Sequence, residues 1–108
     1  MGVVRRSTFR PVDTKDYETL STFVHELRTH NMYRGIVEDM MSRPGFIKKE
    51  HTMRETKEGQ EFISQVEFEN QETFNSYMNS EEIVSLWEYL KISAEMNNLT
   101  HHIEDIKD

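Results

Sequence analysis

The sequence predicts an α+β fold in which two helical regions alternate with strands in the order β-α-β-β-α-β. Apolar residues recur at helical spacing between Tyr17 and Met40 and again between Phe74 and Ala94. Apolar and polar residues alternate from Gln60 to Phe68, and turn signals at Pro44-Gly45 and Lys57-Glu58-Gly59 separate the segments. A length of 108 residues favours one domain, 1–108.

The first half of the chain predicts a strand followed by a divided helix. Val3 to Val12 is rich in β-formers, and Asp13 then stands at a predicted helix N-cap. The helix carries one apolar stripe, formed by Tyr17, Leu20, Phe23, Val24 and Leu27. The stripe is lost at Thr29-His30-Asn31 and resumes at Tyr33, which predicts a break and a second helix that ends at Pro44-Gly45.

A β-hairpin follows, with strands at Phe46 to Thr56 and Gln60 to Phe68. In its second strand, Phe62, Val66 and Phe68 face one side and Glu61, Gln65 and Glu67 the other. Its first strand has no purely apolar face: one side carries Phe46, Lys48, Glu50 and Thr52, and the other Ile47, Lys49, His51 and Met53.

The last third predicts a short helix after Asn70, a longer helix and a final strand. Asn79 or Ser80 is the predicted cap of the longer helix, and Asn79 with Glu82 resembles a capping box. The stripe Ile83, Trp87, Leu90 and Ala94 follows until Asn97-Asn98. His101 to Ile106 forms the last predicted strand. This order is the ferredoxin-like split β-α-β arrangement. The mixed polarity of the sheet predicts that its second face is covered by a surface that tolerates polar groups, such as another copy of the same sheet.

Composition limits the classes of partner. A net charge of −7 without a basic stripe disfavours binding to nucleic acid or to an anionic membrane. The absence of cysteine excludes disulfides and thiolate metal sites. No signal peptide or membrane helix is evident, so we expect a soluble cytoplasmic protein.

The histidines do not predict a metal site. His101 and His102 are adjacent in a strand and therefore point to opposite faces of the sheet. His25 and His30 are five residues apart on a helix, a poor spacing for a shared ion. We expect no metal at either pair.

The segment from Pro44 to Ile83 resembles the antibiotic biosynthesis monooxygenase family. Pro44-Gly45-Phe46 opens the hairpin, Phe68 stands where the family places an aromatic residue, and Phe74 occupies the helix position after the polar run. The segment before Pro44 is longer than is usual in the family. The resemblance implies two ferredoxin-like units packed sheet to sheet as a homodimeric α+β barrel, with a pocket between helices and sheet.

The same resemblance implies a cofactor-free monooxygenase acting on a small aromatic or quinol substrate. Haem-degrading members use Asn, Trp and His at positions that carry Ser7, Tyr77 and Trp87 here. Trp87 cannot supply the imidazole that haem iron needs, so we expect no haem turnover and no cofactor. The alternative is a non-catalytic dimeric barrel that binds a small ligand or only dimerises.

Four residues are candidates for lining the substrate pocket: Ser7, His51, Tyr77 and Trp87. The Tyr77 hydroxyl could bind a substrate oxygen, and a neutral His51 could act as a base, although a structural role is the favoured interpretation of each side chain. Trp87 is expected in the core or the pocket wall. Tyr77 and Trp87 are ten residues apart, which on one straight helix would place them about 80° apart. They can share a cavity only if the helix breaks near Asn79-Ser80.

Overall fold

The computed structural model describes residues 2–13, 15–57 and 59–107, without the side chain of Tyr17. Within these ranges the chain forms four strands and four helices: β1 (Val3–Pro11), α1 (Tyr17–Thr29), α2 (Asn31–Met41), β2 (Phe46–Thr56), β3 (Gly59–Phe68), α3 (Gln71–Met78), α4 (Glu81–Met96) and β4 (Leu99–Lys107). Both predicted helical regions are present, and each is divided in two. The turn predicted at the hairpin tip includes Glu58, which lies outside the described residues.

The four strands form one antiparallel sheet in the order β2-β3-β1-β4. This order confirms the predicted ferredoxin-like arrangement. Strand β4 is longer than the predicted His101 to Ile106, because it pairs along the whole of β1, from Val3 opposite Lys107 to Pro11 opposite Leu99.

The helices cover one face of the sheet, and the core lies between them. The core side chains of the sheet include Phe9, Phe62, Val66 and Phe68, and those of the helices include Leu20, Phe23, Leu27, Ile83, Leu90 and Ala94. Their burial confirms the predicted stripes and the predicted alternation of β3. The opposite sheet face carries polar side chains and is open in the single chain.

The predicted face of Phe46 is wrong. A bulge interrupts the β2–β3 register between Phe46 and Lys48. Phe46 pairs with Phe68 and packs on the core, whereas Ile47 is exposed. The extra residue shifts the alternation by one, so Phe46 shares the helix side with Lys49 and His51.

Both predicted breaks between helices are present. Helix α1 ends at Thr29, and the Nδ1 atom of His30 accepts a hydrogen bond from the backbone N–H of Tyr33, which caps α2. Helix α3 ends at Met78, and α4 starts at Glu81.

The predicted cap of α1 is wrong, and of the two residues predicted to cap α4, Asn79 and Ser80, the structure has Ser80. The cap of α1 is Asp16, which accepts from Thr19 N at 3.1 Å, whereas Asp13 accepts from Lys15 N in the preceding turn. The cap of α4 is Ser80 rather than Asn79, and Ser80 Oγ donates to Tyr77 O at 2.8 Å instead of to its own helix. Asn79 instead ends α3 in a helical conformation, so it cannot form a capping box.

None of the helices in the described ranges has the length and apolar character needed to cross a bilayer.

Candidate active site

A small cavity lies between the sheet and the helices. Its volume is about 40 Å³, and apolar side chains from β1, β3 and all four helices form most of its wall. Its polar lining consists of Ser7, Tyr33, Lys49, Ser64, Tyr77 and Trp87. A water molecule needs roughly 10–15 Å³ of such space, whereas a cavity that binds benzene measures about 150 Å³. In this conformation the cavity therefore has room for water but not for an aromatic ring.

Three of the four residues predicted from the sequence, Ser7, Tyr77 and Trp87, line this cavity. The break between α3 and α4 allows Tyr77 and Trp87 to reach the same space, as their spacing required. His51 is not part of the lining. It packs edge-on against Phe62, a residue of the cavity wall, with 5.1 Å between ring centroids.

Two side chains of the cavity wall each carry a buried hydrogen-bonding atom that has no partner within the described residues. Ser7 is 2% exposed, and its Oγ is buried without a hydrogen bond. The Nε1 atom of Trp87 is likewise buried and unbonded. Leaving such a group unsatisfied costs on the order of 1–3 kcal/mol. Both side chains therefore offer hydrogen bonds to a water molecule or a ligand oxygen.

Tyr77 is held in place by the protein itself. Its ring stacks on Phe68 at 5.6 Å, and its hydroxyl donates to the backbone oxygen of Ile36 at 3.4 Å. Burial, assisted by the charge of Asp39, raises its pKa, so the phenol stays neutral. Arg43 lies over the outer side of the ring at 5.2 Å. These contacts make Tyr77 a fixed part of the wall.

Lys49 and Tyr33 also belong to the site, and sequence reasoning missed both. Lys49 Nζ donates to the Tyr33 hydroxyl at 3.2 Å and lies 5.1 Å from the centre of its ring. Burial lowers the pKa of Lys49 to about 8 and raises that of Tyr33 to about 12. The signal available in the sequence was the alternation of β2, which puts Lys49 on the same side as His51.

His51 is a weak base in its present surroundings. Burial, with smaller effects from the charges of Lys49 and Arg28, lowers its pKa to about 4. Its Nε2 atom is buried and finds no hydrogen-bond partner in the ranges that the structure describes. The imidazole is therefore neutral at neutral pH but takes up a proton poorly.

Trp87 separates the cavity from an outer groove of about 520 Å³ between α4 and β4. Trp87 and Met78 line both spaces, so their displacement would join the cavity to the groove. Arg5 lies 5.1 Å from the Trp87 ring and forms a bidentate ion pair with Asp105, at 2.8 and 3.1 Å. The flexible thioether of Met78 is suited to such a displacement.

His101 packs between Phe9 and Trp87. Its ring is 4.2 Å from Phe9 and 6.2 Å from Trp87, nearly parallel to both. Burial lowers its pKa to about 4. His101 lies on the helix side of β4, and His102 lines the open face of the sheet. No group of three or more His, Cys, Asp or Glu side chains among the described residues is arranged to hold a metal ion.

No family model matches the sequence, and no curated protein matches it. Solved structures share its fold over nearly the whole chain. A variant of SnoaB, a cofactor-independent oxygenase from Streptomyces nogalater, has a TM-score of 0.65 at 9% identity, covering 99% of this chain and 92% of that one. A Bacillus cereus protein provisionally named an antibiotic biosynthesis monooxygenase has a TM-score of 0.58 at 21% identity, covering 99% and 94%.

This is the fold of the antibiotic biosynthesis monooxygenases. It confirms, at the level of the fold, the resemblance that the sequence indicated. An ethyl tert-butyl ether D family protein from Bacillus halodurans is equally similar, with a TM-score of 0.66 at 13% identity, covering 100% of this chain and 99% of that one. Because such folds carry more than one chemistry, the activity has to be argued from the cavity.

Proposed function

We propose that this protein is a cofactor-free monooxygenase that takes a small aromatic or quinol substrate into the cavity between helices and sheet. The observation that carries the proposal is the pair of unbonded hydrogen-bonding atoms, Ser7 Oγ and Trp87 Nε1, in an otherwise largely apolar cavity. A phenolic oxygen would satisfy such donors, and the aromatic wall would pack against its ring.

The reaction needs no cofactor if the substrate supplies the electrons. A phenol with hydrogen at its para carbon reacts with one O₂ to give a quinone and one water. One oxygen atom forms the new carbonyl, and the other leaves as water with the two hydrogens that the phenol loses. Ser7 and Trp87 would hold the substrate oxygen as its negative charge develops, and the apolar walls would exclude water from the intermediate.

The likeness to SnoaB supports this reading, since SnoaB is described as a cofactor-independent oxygenase. We also propose a homodimer formed through the open sheet face, because that face is of mixed polarity and uncovered in the single chain. Trp87 and Met78 would have to move for a ring to enter the cavity, because its present volume is about 40 Å³.

The small volume also favours a second candidate, a dimeric barrel without catalytic activity. The two candidates differ in oxygen consumption. Only the oxygenase takes up O₂ in the presence of a phenol or quinol.

Oxygen uptake by the metal-free protein tests the proposal. A panel of phenols, naphthols and anthrone-type substrates is incubated with the protein in an oxygen electrode, and products are analysed after labelling with ¹⁸O₂. We expect one O₂ consumed and one labelled oxygen incorporated per product. Ser7→Ala should lower kcat/KM about tenfold, whereas Ser85→Ala, on the exposed side of α4, should have no effect. If oxygen uptake is no faster with the protein than without it for every substrate of the panel, the oxygenase is rejected and the non-catalytic barrel is the function.

A further inference from the structure

Lys49 is a cation at the cavity without a carboxylate partner. Other basic residues of the protein do have one: Arg5 pairs with Asp105, Arg43 with Asp39 and Lys48 with Glu50. The side chain of Lys49 is partly buried, and within the described residues its only hydrogen bond goes to the hydroxyl of Tyr33. An ammonium group that lacks a counter-ion in such surroundings is costly.

The groups that face Lys49 do not compensate its charge. Tyr33 on α2 stays neutral, because burial raises its pKa to about 12. His51 lies on the same strand. Burial, with smaller effects from the charges of Lys49 and of Arg28 on α1, lowers its pKa to about 4, so its imidazole is neutral at neutral pH. Arg28 is itself a cation. At neutral pH the surroundings of Lys49 within the described residues therefore supply no anion.

We propose that Lys49 makes the cavity a site for ligands that bind as anions, and that the substrate is an acidic phenol held as its phenolate. The inference rests on the proposed function for the cavity as the binding site. A phenolate spreads its charge over the ring, so it loses less hydration energy in an apolar cavity than a carboxylate does. The rings of Phe9, Phe62 and Trp87 provide an aromatic wall for it.

The proton balance of this binding step is simple. The phenol O–H bond breaks, and the proton goes to bulk water when Lys49 is already charged, or to the Lys49 amine when that amine is neutral. No electron moves. The phenolate is the electron-rich form that transfers an electron to O₂, so binding it activates the substrate for the proposed oxygenation. Lys49 would then be a catalytic residue whose ammonium group contacts the bound phenolate as its counter-ion.

Spectrophotometric titration of bound para-nitrophenol tests the inference, because only the phenolate absorbs visible light. Quenching of Trp87, the single tryptophan, reports binding independently of ionisation. We expect wild-type protein to lower the apparent pKa of the bound phenol by about 1–3 pH units relative to the free phenol. Lys49→Met should abolish that lowering and weaken phenolate binding about 10- to 100-fold. Lys49→Arg should retain most of the lowering of the phenol pKa.

Lys57→Met, at the exposed residue that follows β2, is the matched control and should behave as wild type. A bound phenol that ionises at the same pH in wild type and Lys49→Met would overturn the role of Lys49 while leaving the oxygenase proposal intact. Lowering of the pKa of bound para-nitrophenol, together with no protein-dependent oxygen uptake on the panel of para-unsubstituted phenols and naphthols, would support Lys49 and reject the oxygenase. Absence of Trp87 quenching at every concentration would overturn the inference together with the cavity as a phenol site.

Discussion

Gly45 determines the backbone conformation of the turn at the start of the hairpin. Its φ of +89° lies in the left-handed region that residues with a Cβ rarely adopt. A Cβ at this position would lie 2.6 Å from Thr73 Cγ2 and 2.7 Å from Thr73 Cβ. The Gly45 carbonyl accepts from Glu69 N at 2.8 Å, which ties the turn to the segment that leads into α3. The glycine of the Pro44-Gly45-Phe46 motif is thus required in this chain for steric reasons.

Replacing Gly45 with Ala should destabilise the protein by about 2–4 kcal/mol, because left-handed strain adds to the clash with Thr73. Gly35→Ala is the matched control: no atom lies within 4 Å of a Cβ there, and the residue lies in α2. That control should stabilise the protein by about 0.5–1 kcal/mol, as expected for a helix interior. Urea unfolding of both variants measures the difference, and equal midpoints would contradict the steric argument.

Part of the site was predictable from the family resemblance, which pointed to Ser7, Tyr77 and Trp87. Spacing on one straight helix would have kept Tyr77 and Trp87 apart, and the break between α3 and α4 lets both reach the cavity. Lys49 was missed because its strand carries polar residues on both sides. Whether its amine reaches the core depends on the helices packed above it, which a single strand does not specify.

At the scale of elements, sequence periodicity located the helix breaks but not their hydrogen bonds. The loss of the apolar stripe at Thr29-His30-Asn31 predicted the break between α1 and α2. Several neighbouring acidic and polar residues have side chains that are common at helix N-caps. The backbone dihedrals decide which of them takes the cap position, and here these residues are Asp16 and Ser80. The spacing could not choose among them.

The β2 bulge was unpredictable for a related reason. Phe46 and Ile47 are both apolar β-formers, so either could take the inward position. The choice is made by Phe68, whose ring meets Phe46 edge-on at 5.9 Å. Tertiary packing therefore decided a register that the polarity pattern left open.

At the scale of the whole molecule, two half-buried histidines, His51 and His101, couple folding to pH. Burial lowers the pKa of His51 and of His101 to about 4, from 6.5. Between these values the unfolded chain binds protons that the folded chain does not. The stability that these groups contribute is complete above pH 6.5 and is lost as the pH falls toward 4.

We expect the free energy of unfolding to fall between pH 7 and pH 5 by an amount on the order of 1–3 kcal/mol. His101→Phe removes one titrating group and retains the ring between Phe9 and Trp87, so it should flatten the profile. His25→Gln, on the exposed side of α1, should leave the profile unchanged. Urea midpoints at pH 5, 6 and 7 provide the measurement, and a wild-type profile without slope would refute the coupling.

The open sheet face has the features expected of a polar interface between two copies. Arg10 pairs at 2.6 Å with Glu61, which also pairs with Arg54 and is fully buried. Burial opposes ionisation of Glu61, but the hydrogen bonds from Arg54 and Arg10 outweigh it and lower its pKa. These three charged side chains are therefore already paired in the single chain. A partner sheet would meet fixed side chains, which lowers the entropy cost of association.

Ile63 gives this dimer proposal its sharpest test. It lies on the open face of β3, between Thr8 of β1 and Thr52 of β2. Sedimentation velocity at micromolar concentration should show a dimer for wild type. Ile63→Lys should give a monomer with unchanged circular dichroism, because it buries an extra positive charge from each copy in the interface. Ile92→Lys, at an exposed position on α4, should remain dimeric. A wild-type monomer would reject the dimer, and a dimer that persists in Ile63→Lys would assign the interface to another surface.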